Sequence, residues 1–246
     1  MAGESTLRDP GKTPITNQEQ ANALFNDALQ NKFAHKDFAG AKKELDDCVA
    51  WGQSSSNNKF LTESLFLRGI VNVDLKPAGN GSLEAEADFK KAADVAKTLP
   101  DFDLVRFGEL EQQRGSNLRN LNRGEDAVKA YQDGLNALAK SPDLKNPLSG
   151  ATDKKVELLY DTGVTDEGLK NFAGATDKLT EAARLVRSQL RIQDANNPAF
   201  KAEASRFTVI MNELRSAYNN QGQNGQEKVA ALTKSFECEE NHKACL

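Results

Sequence analysis

The run Asn117-Leu118-Arg119-Asn120-Leu121-Asn122-Arg123-Gly124-Glu125-Asp126-Ala127-Val128-Lys129-Ala130-Tyr131-Gln132-Asp133-Gly134-Leu135 constrains the fold of this chain more than any other stretch. Leu118 and Leu121 stand three apart and share one face of a helix. Asn122-Arg123-Gly124 then interrupts the apolar period, and Gly124 is expected to supply the positive φ of a helix C-cap. A second helix follows with Ala127, Tyr131 and Gly134 at steps of four and three, which puts them on one stripe. Gly115, twelve residues before Ala127, is expected to face it across the resulting hairpin. Small residues let two helices approach closely, and the tyrosine fills the space beside them.

The same arrangement recurs. Phe38, Ala41, Leu45 and Cys48 follow it with Leu29 twelve residues before Ala41, and Phe172, Ala175, Leu179 and Ala182 follow it with Gly163 twelve residues before Ala175. Ala85, Phe89 and Ala92 repeat it behind a longer corner, with Gly69 sixteen residues upstream. Together these residues resemble the tetratricopeptide repeat (TPR) family. The resemblance implies an all-α, right-handed solenoid of antiparallel helix hairpins, with about ten helices, and a concave groove lined by the first helix of each hairpin. The equivalent small residues fall at 41, 85, 127 and 175, so the periods are 44, 42 and 48, against 34 for the family. The family's first-helix tryptophan is missing. Pro100 and Pro142 each come eight residues after the last small position, which argues for a second helix about one turn longer than usual.

The periodicity places helices over residues 17–33, 37–51, 60–74, 82–99, 103–121, 125–140, 153–168, 172–193, 199–219 and 226–240. Residues 1–16, with Pro10, Gly11 and Pro14 and no apolar core, are expected to form a disordered lead rather than a signal peptide. Residues 17–246 then form one repeat domain, and the two-proline segment 141–151 is the candidate hinge. Hydrophobic content is 38% and mean hydropathy is −0.62, which suits a two-layer array with much exposed surface. A net charge of −4 lacks the basic footprint that non-specific nucleic-acid binding requires. No apolar run approaches the length of a transmembrane helix. A cytoplasmic protein is expected; an exported, periplasmic one with a leader encoded upstream would read the same.

Candidate chemistry is sparse. Cys238, His242 and Cys245 share a helix face, but three soft ligands fall short of a structural zinc site, and no metal is expected there. His35 is the only other histidine, and no Walker, zinc-protease or dinucleotide motif occurs. Gly79-Asn80-Gly81-Ser82 precedes a helix without the lysine of a phosphate loop and reads as a plain corner. Asp46-Asp47, Glu109/Glu111 and Glu239-Glu240 read as solvated faces rather than acid–base pairs. No cofactor and no catalysis are expected.

What the resemblance implies is a protein or peptide partner in the groove. Its first-helix register projects Asn26, Gln30 and Phe33, then Phe66, Ile70 and Val73, then Gln112, Ser116 and Arg119, then Tyr160, Val164 and Glu167. Asn26, Gln30, Phe66, Gln112, Ser116, Arg119 and Tyr160 are the candidate contacts, amides and aromatics being suited to an extended polypeptide. Phe66, Ile70 and Val73 read equally as core between repeats. Two other readings share the fold: an exported envelope-assembly component, and a helical enzyme or ligand carrier with perturbed carboxylates in a deep pocket.

Overall fold

The computed structural model describes residues 14–194 and 196–240, and among them it contains ten α-helices and no strand. They are α1 Gln18–Asp27, α2 Phe38–Ser54, α3 Asn58–Asp74, α4 Leu83–Ala96, α5 Leu104–Asn120, α6 Gly124–Leu138, α7 Gly150–Gly168, α8 Phe172–Ile192, α9 Pro198–Asn220 and α10 Gly225–Glu240. Side-chain caps fix most of the starts. Asn17, Asp37, Asn57, Ser82, Asp103, Ser149, Asn171 and Asn197 each accept a hydrogen bond from a first-turn backbone N–H. Asn57 shortens the loop expected over 53–58, because α2 runs on to Ser54 and α3 begins at Asn58. Of the expected N-terminal lead, residues 1–13 lie outside the described residues. Thr16 is tied down, its N–H and Oγ1 both meeting Gln20 Oε1 at 2.9 and 3.0 Å.

Four hairpin corners are built alike. Lys36, Asn122, Lys170 and Gly222 take positive φ values of 63, 58, 63 and 72°. Each donates its N–H to the carbonyl three residues back, and the next residue donates to the carbonyl five back. That pair of bonds is the Schellman motif, which satisfies the last carbonyls of a helix while reversing the chain. The left-handed residue in the organising stretch is therefore Asn122, not Gly124, which begins α6. Asparagine tolerates that conformation. The recurrence at Gly222 makes α9 and α10 a fifth hairpin, although their sequence fits the repeat poorly.

Inside each hairpin the glycine of the first helix receives the bulky residue of the second. A Cβ on Gly115 would lie 2.3 Å from Tyr131 Cε1, one on Gly69 2.4 Å from Phe89 Cε1, and one on Gly163 2.7 Å from Leu179 Cγ. Gly115 therefore accommodates the Tyr131 ring rather than serving Ala127. In the first hairpin, α1 continues as a π-helical turn, Ala28–Lys32, and a 3-10 turn, Phe33–His35. A π turn inserts one residue into the helical register. The buried small residue is accordingly Ala28, thirteen before Ala41, while Leu29 is 36% exposed.

The core is a row of local clusters rather than one centre. Ala28, Ala41, Leu45, Leu67 and Val71 form the first. Leu65, Phe66, Phe89, Phe107 and Leu110 belong to the second, and Leu118, Tyr131, Leu158, Leu179, Ile210 and Phe236 to the third. Each helix packs on its sequence neighbours, and α3, α5, α7 and α9 also touch one another in turn. That alternation is the layout of a TPR-like helical repeat, with the odd-numbered helices side by side on one face. The segment expected as a hinge carries a 3-10 turn, Pro142–Lys145. Leu144 packs on the core, Ser149 Oγ donates to Asp143 O at 2.7 Å, and Gln189 Nε2 donates to Pro147 O at 2.9 Å.

Candidate partner-binding face

The face formed by α3, α5, α7 and α9 is stitched by polar bonds between residues about one repeat apart. Arg106 on α5 reaches Glu63 on α3 through Nη2 at 2.6 Å. Gln112 on α5 accepts from Lys154 Nζ at 2.8 Å and donates through Nε2 to Asp161 Oδ2 at 2.7 Å, both on α7. Arg206 on α9 donates to Asp153 O at 3.0 Å, and Ser216 Oγ donates to Glu167 Oε1 at 2.6 Å. Residue number rises together along α7 and α9, so these two helices run parallel. This follows from antiparallel hairpins stacked in sequence, where every second helix points the same way. The alternation of amide, carboxylate and cation leaves a polar, half-buried surface that is already organised.

Among the described residues, two clefts bear on a partner. The first, of about 450 Å³, lies between α1 and α3 and is lined by Gln18, Asn22, Asn26, Asn57, Phe25 and Phe60 among others. Phe60 meets Phe25 and Trp51 edge to face at 5.9 and 5.2 Å, so an apolar wall stands behind a row of amides. The second, of about 270 Å³, spans α5, α7 and α9 and is lined by Gln112, Glu157, Tyr160, Asp161, Arg206, Val209 and Ile210. Ile210 is buried, whereas Val209 is 47% exposed at the rim.

Electrostatics distinguish the second cleft. Burial pushes the Asp161 carboxyl above the usual carboxylate range, against the pull of the Gln112 hydrogen bond and of Arg119. Glu213, one helical turn beyond Val209, is also pushed up by burial and by repulsion from Glu167. The Tyr160 phenol rises through burial, Glu213 and Asp161. A carboxylate raised by desolvation, with its counter-charges incomplete, attracts a cation that can share its site.

The structure sorts the residues projected from the sequence. Asn26 lines the first cleft, and Gln30 is exposed on the π-helical turn. Gln112 and Tyr160 come together in the second cleft. Ser116 is half-buried, its Oγ 3.3 Å from Tyr131 Oη. Arg119 is exposed at the α5 edge and acts electrostatically on Tyr160 and Asp161. Phe66 requires a correction as a groove contact: it is 2% exposed. Its ring meets Phe89 at 6.0 Å, and the Arg106 guanidinium covers it at 4.2 Å from the centroid. Glu63 and Glu109 hold that guanidinium in place. Ile70 and Val73 pack on the same core. Sequence reasoning missed Asp161, Arg206 and Val209. Asp161 follows Tyr160 directly, but α9 carries no recognisable repeat pattern from which Arg206 and Val209 could be placed.

At the corner over 79–82, Asn80 N–H donates to Pro77 O at 3.0 Å and the polar groups of Ser82 are engaged. Ser82 N–H donates to Asn117 Oδ1 at 2.8 Å, Asn117 Nδ2 donates to Ser82 O at 2.9 Å, and Ala85 N–H donates to Ser82 Oγ at 3.1 Å. The Cys238, His242 and Cys245 trio lies outside the described side chains.

No family model matches the chain, and no curated protein matches it. Among solved structures, the crystal structure of MamA protein is similar in fold, with a TM-score of 0.50 and 16% identity, over 93% of this chain and 98% of that one. At that identity the likeness concerns the backbone arrangement alone, and it agrees with the helical repeat described above.

Proposed function

We propose that this chain is a non-catalytic interaction scaffold that holds an extended segment of another protein on the face formed by its odd-numbered helices. The observation that carries this reading is the second cleft, where three successive repeats bring Gln112, Tyr160, Asp161 and Val209 to one place. A peptide backbone needs alternating donors and acceptors, and a side chain needs an apolar or aromatic wall. Gln112 and Asp161 supply the first, Tyr160 and Val209 the second. Hydrogen bonds to neighbouring helices hold the polar groups before any partner arrives, which lowers the cost of ordering them on binding.

Selection of a phage-displayed random peptide library against the whole chain tests the reading. Peptides bound by the wild type are expected to lose at least about tenfold in affinity to Val209→Lys, a rim change that buries a charge in the bound state. Binding indifferent to Val209→Lys and to Tyr160→Ala would remove the cleft as the site.

A further inference from the structure

Resting on that reading, we infer that the segment held in the α5–α7–α9 cleft anchors itself with a basic side chain, lysine or arginine, placed beside Tyr160 between Asp161 and Glu213, with an adjacent apolar residue on Val209. The cations already at the cleft are largely committed. Lys154 is bound to Gln112 and paired with Glu157. Arg206 donates to Asp153 O and lies 3.7 to 4.0 Å from Glu203, Glu157 and Asp153. Glu213 has no hydrogen bond or ion pair among the described residues, and Asp161 has only the Gln112 amide. Glu167 beside them is bonded by the neutral donors Ser216 and Asn220. Asp161 and Glu213 are thus left without an ion-pair partner among the described residues, and the exposed Arg119, like Lys154, acts on Asp161 only through longer-range attraction.

The chemistry of the pocket matches a basic side chain better than a neutral one. A carboxylate pair offers charge-assisted hydrogen bonds, and a tyrosine ring offers an electron-rich face to a cation. The aliphatic stem of lysine or arginine covers apolar surface such as Val209 while its head stays with the carboxylates. An acidic side chain in the same place would meet Asp161 and Glu213 with like charge.

The test uses the full chain and one peptide selected from the random library, synthesised with its basic residue intact, replaced by norleucine, or replaced by glutamate. Fluorescence anisotropy is expected to show the norleucine peptide weaker by about tenfold and the glutamate peptide weaker still. Glu213→Gln is expected to weaken the basic peptide several-fold and leave the norleucine peptide unchanged, and added salt is expected to reduce only the former difference. Glu213 is partly exposed, so this variant is expected to fold, and a melt alongside wild type checks it. Selected peptides that lose binding to Val209→Lys yet show no preference for a basic residue would overturn this inference and leave the binding face standing. A basic preference unaffected by both Glu213→Gln and Asp161→Asn would also overturn it. A library that yields no binding peptide at all would overturn both.

Discussion

Glu111 offers a quantitative test of how the second and third hairpins are joined. Its side chain is fully buried on α5. Arg114 Nη1 lies 3.3 Å from one carboxylate oxygen and Lys97 Nζ lies 3.9 Å from the other, which accepts no hydrogen bond. Burial raises the carboxyl from 4.5 to about 7 despite those two cations, and Asp133 adds to the rise. The folded state thus binds a proton that the unfolded chain has released. The stability this group contributes is fully present below about pH 4.5 and is lost as pH climbs through about 7. At about 1.4 kcal/mol per unit, the loss reaches about 3 kcal/mol at pH 8. Glu111→Gln keeps an acceptor for Arg114 and removes the titration. The variant is expected to match wild type near pH 4.5 and to exceed it by about 3 kcal/mol at pH 8. For a chain of this size that is about 6–12 °C in melting temperature. Circular-dichroism melts of both proteins from pH 4.5 to 8 measure the difference, in which the titration of the shared carboxylates cancels. Two melting curves that shift in parallel across that range would refute the buried-carboxylate account.

Three further substitutions probe the packing. Gly115→Ala forces a methyl to within 2.3 Å of the Tyr131 ring and is expected to cost about 1–3 kcal/mol, whereas Gly168→Ala, with open space around it, is expected to gain up to about 1 kcal/mol; urea denaturation of the two variants decides. Asn117→Ala strands the N–H of buried Ser82, whose carbonyl keeps the Glu86 N–H, and is expected to cost about 2 kcal/mol, with faster hydrogen exchange confined to the start of α4.

The repeat was legible because its physical demand is local. A glycine under an aromatic ring twelve residues before a small side chain specifies a close-packed hairpin by spacing alone. The caps at Asp37 and Ser82 were legible for the same reason. The π-helical turn was not, since inserting one residue leaves composition untouched and only Leu29 falling outward betrays it. Phe66 shows the limit of a projected register. It sits at a first-helix position that could face out, but Arg106, forty residues on, closes over it. Gln112 and Tyr160 were projected from separate hairpins. That they meet in one cleft depends on how α5, α7 and α9 stack, and no single-helix period contains that information. The share of α9 in the cleft was hidden because the last hairpin keeps the corner geometry while abandoning the small–aromatic–small stripe.

The most direct test of the central claim is amide chemical-shift mapping of the labelled chain with a library-selected peptide. Shifts are expected to concentrate along the shared face of α5, α7 and α9, at Gln112, Tyr160, Asp161, Val209 and Glu213. Shifts concentrated instead on the second helices of the hairpins, around Lys91 on α4 and Lys129 on α6, with that face silent, would contradict it.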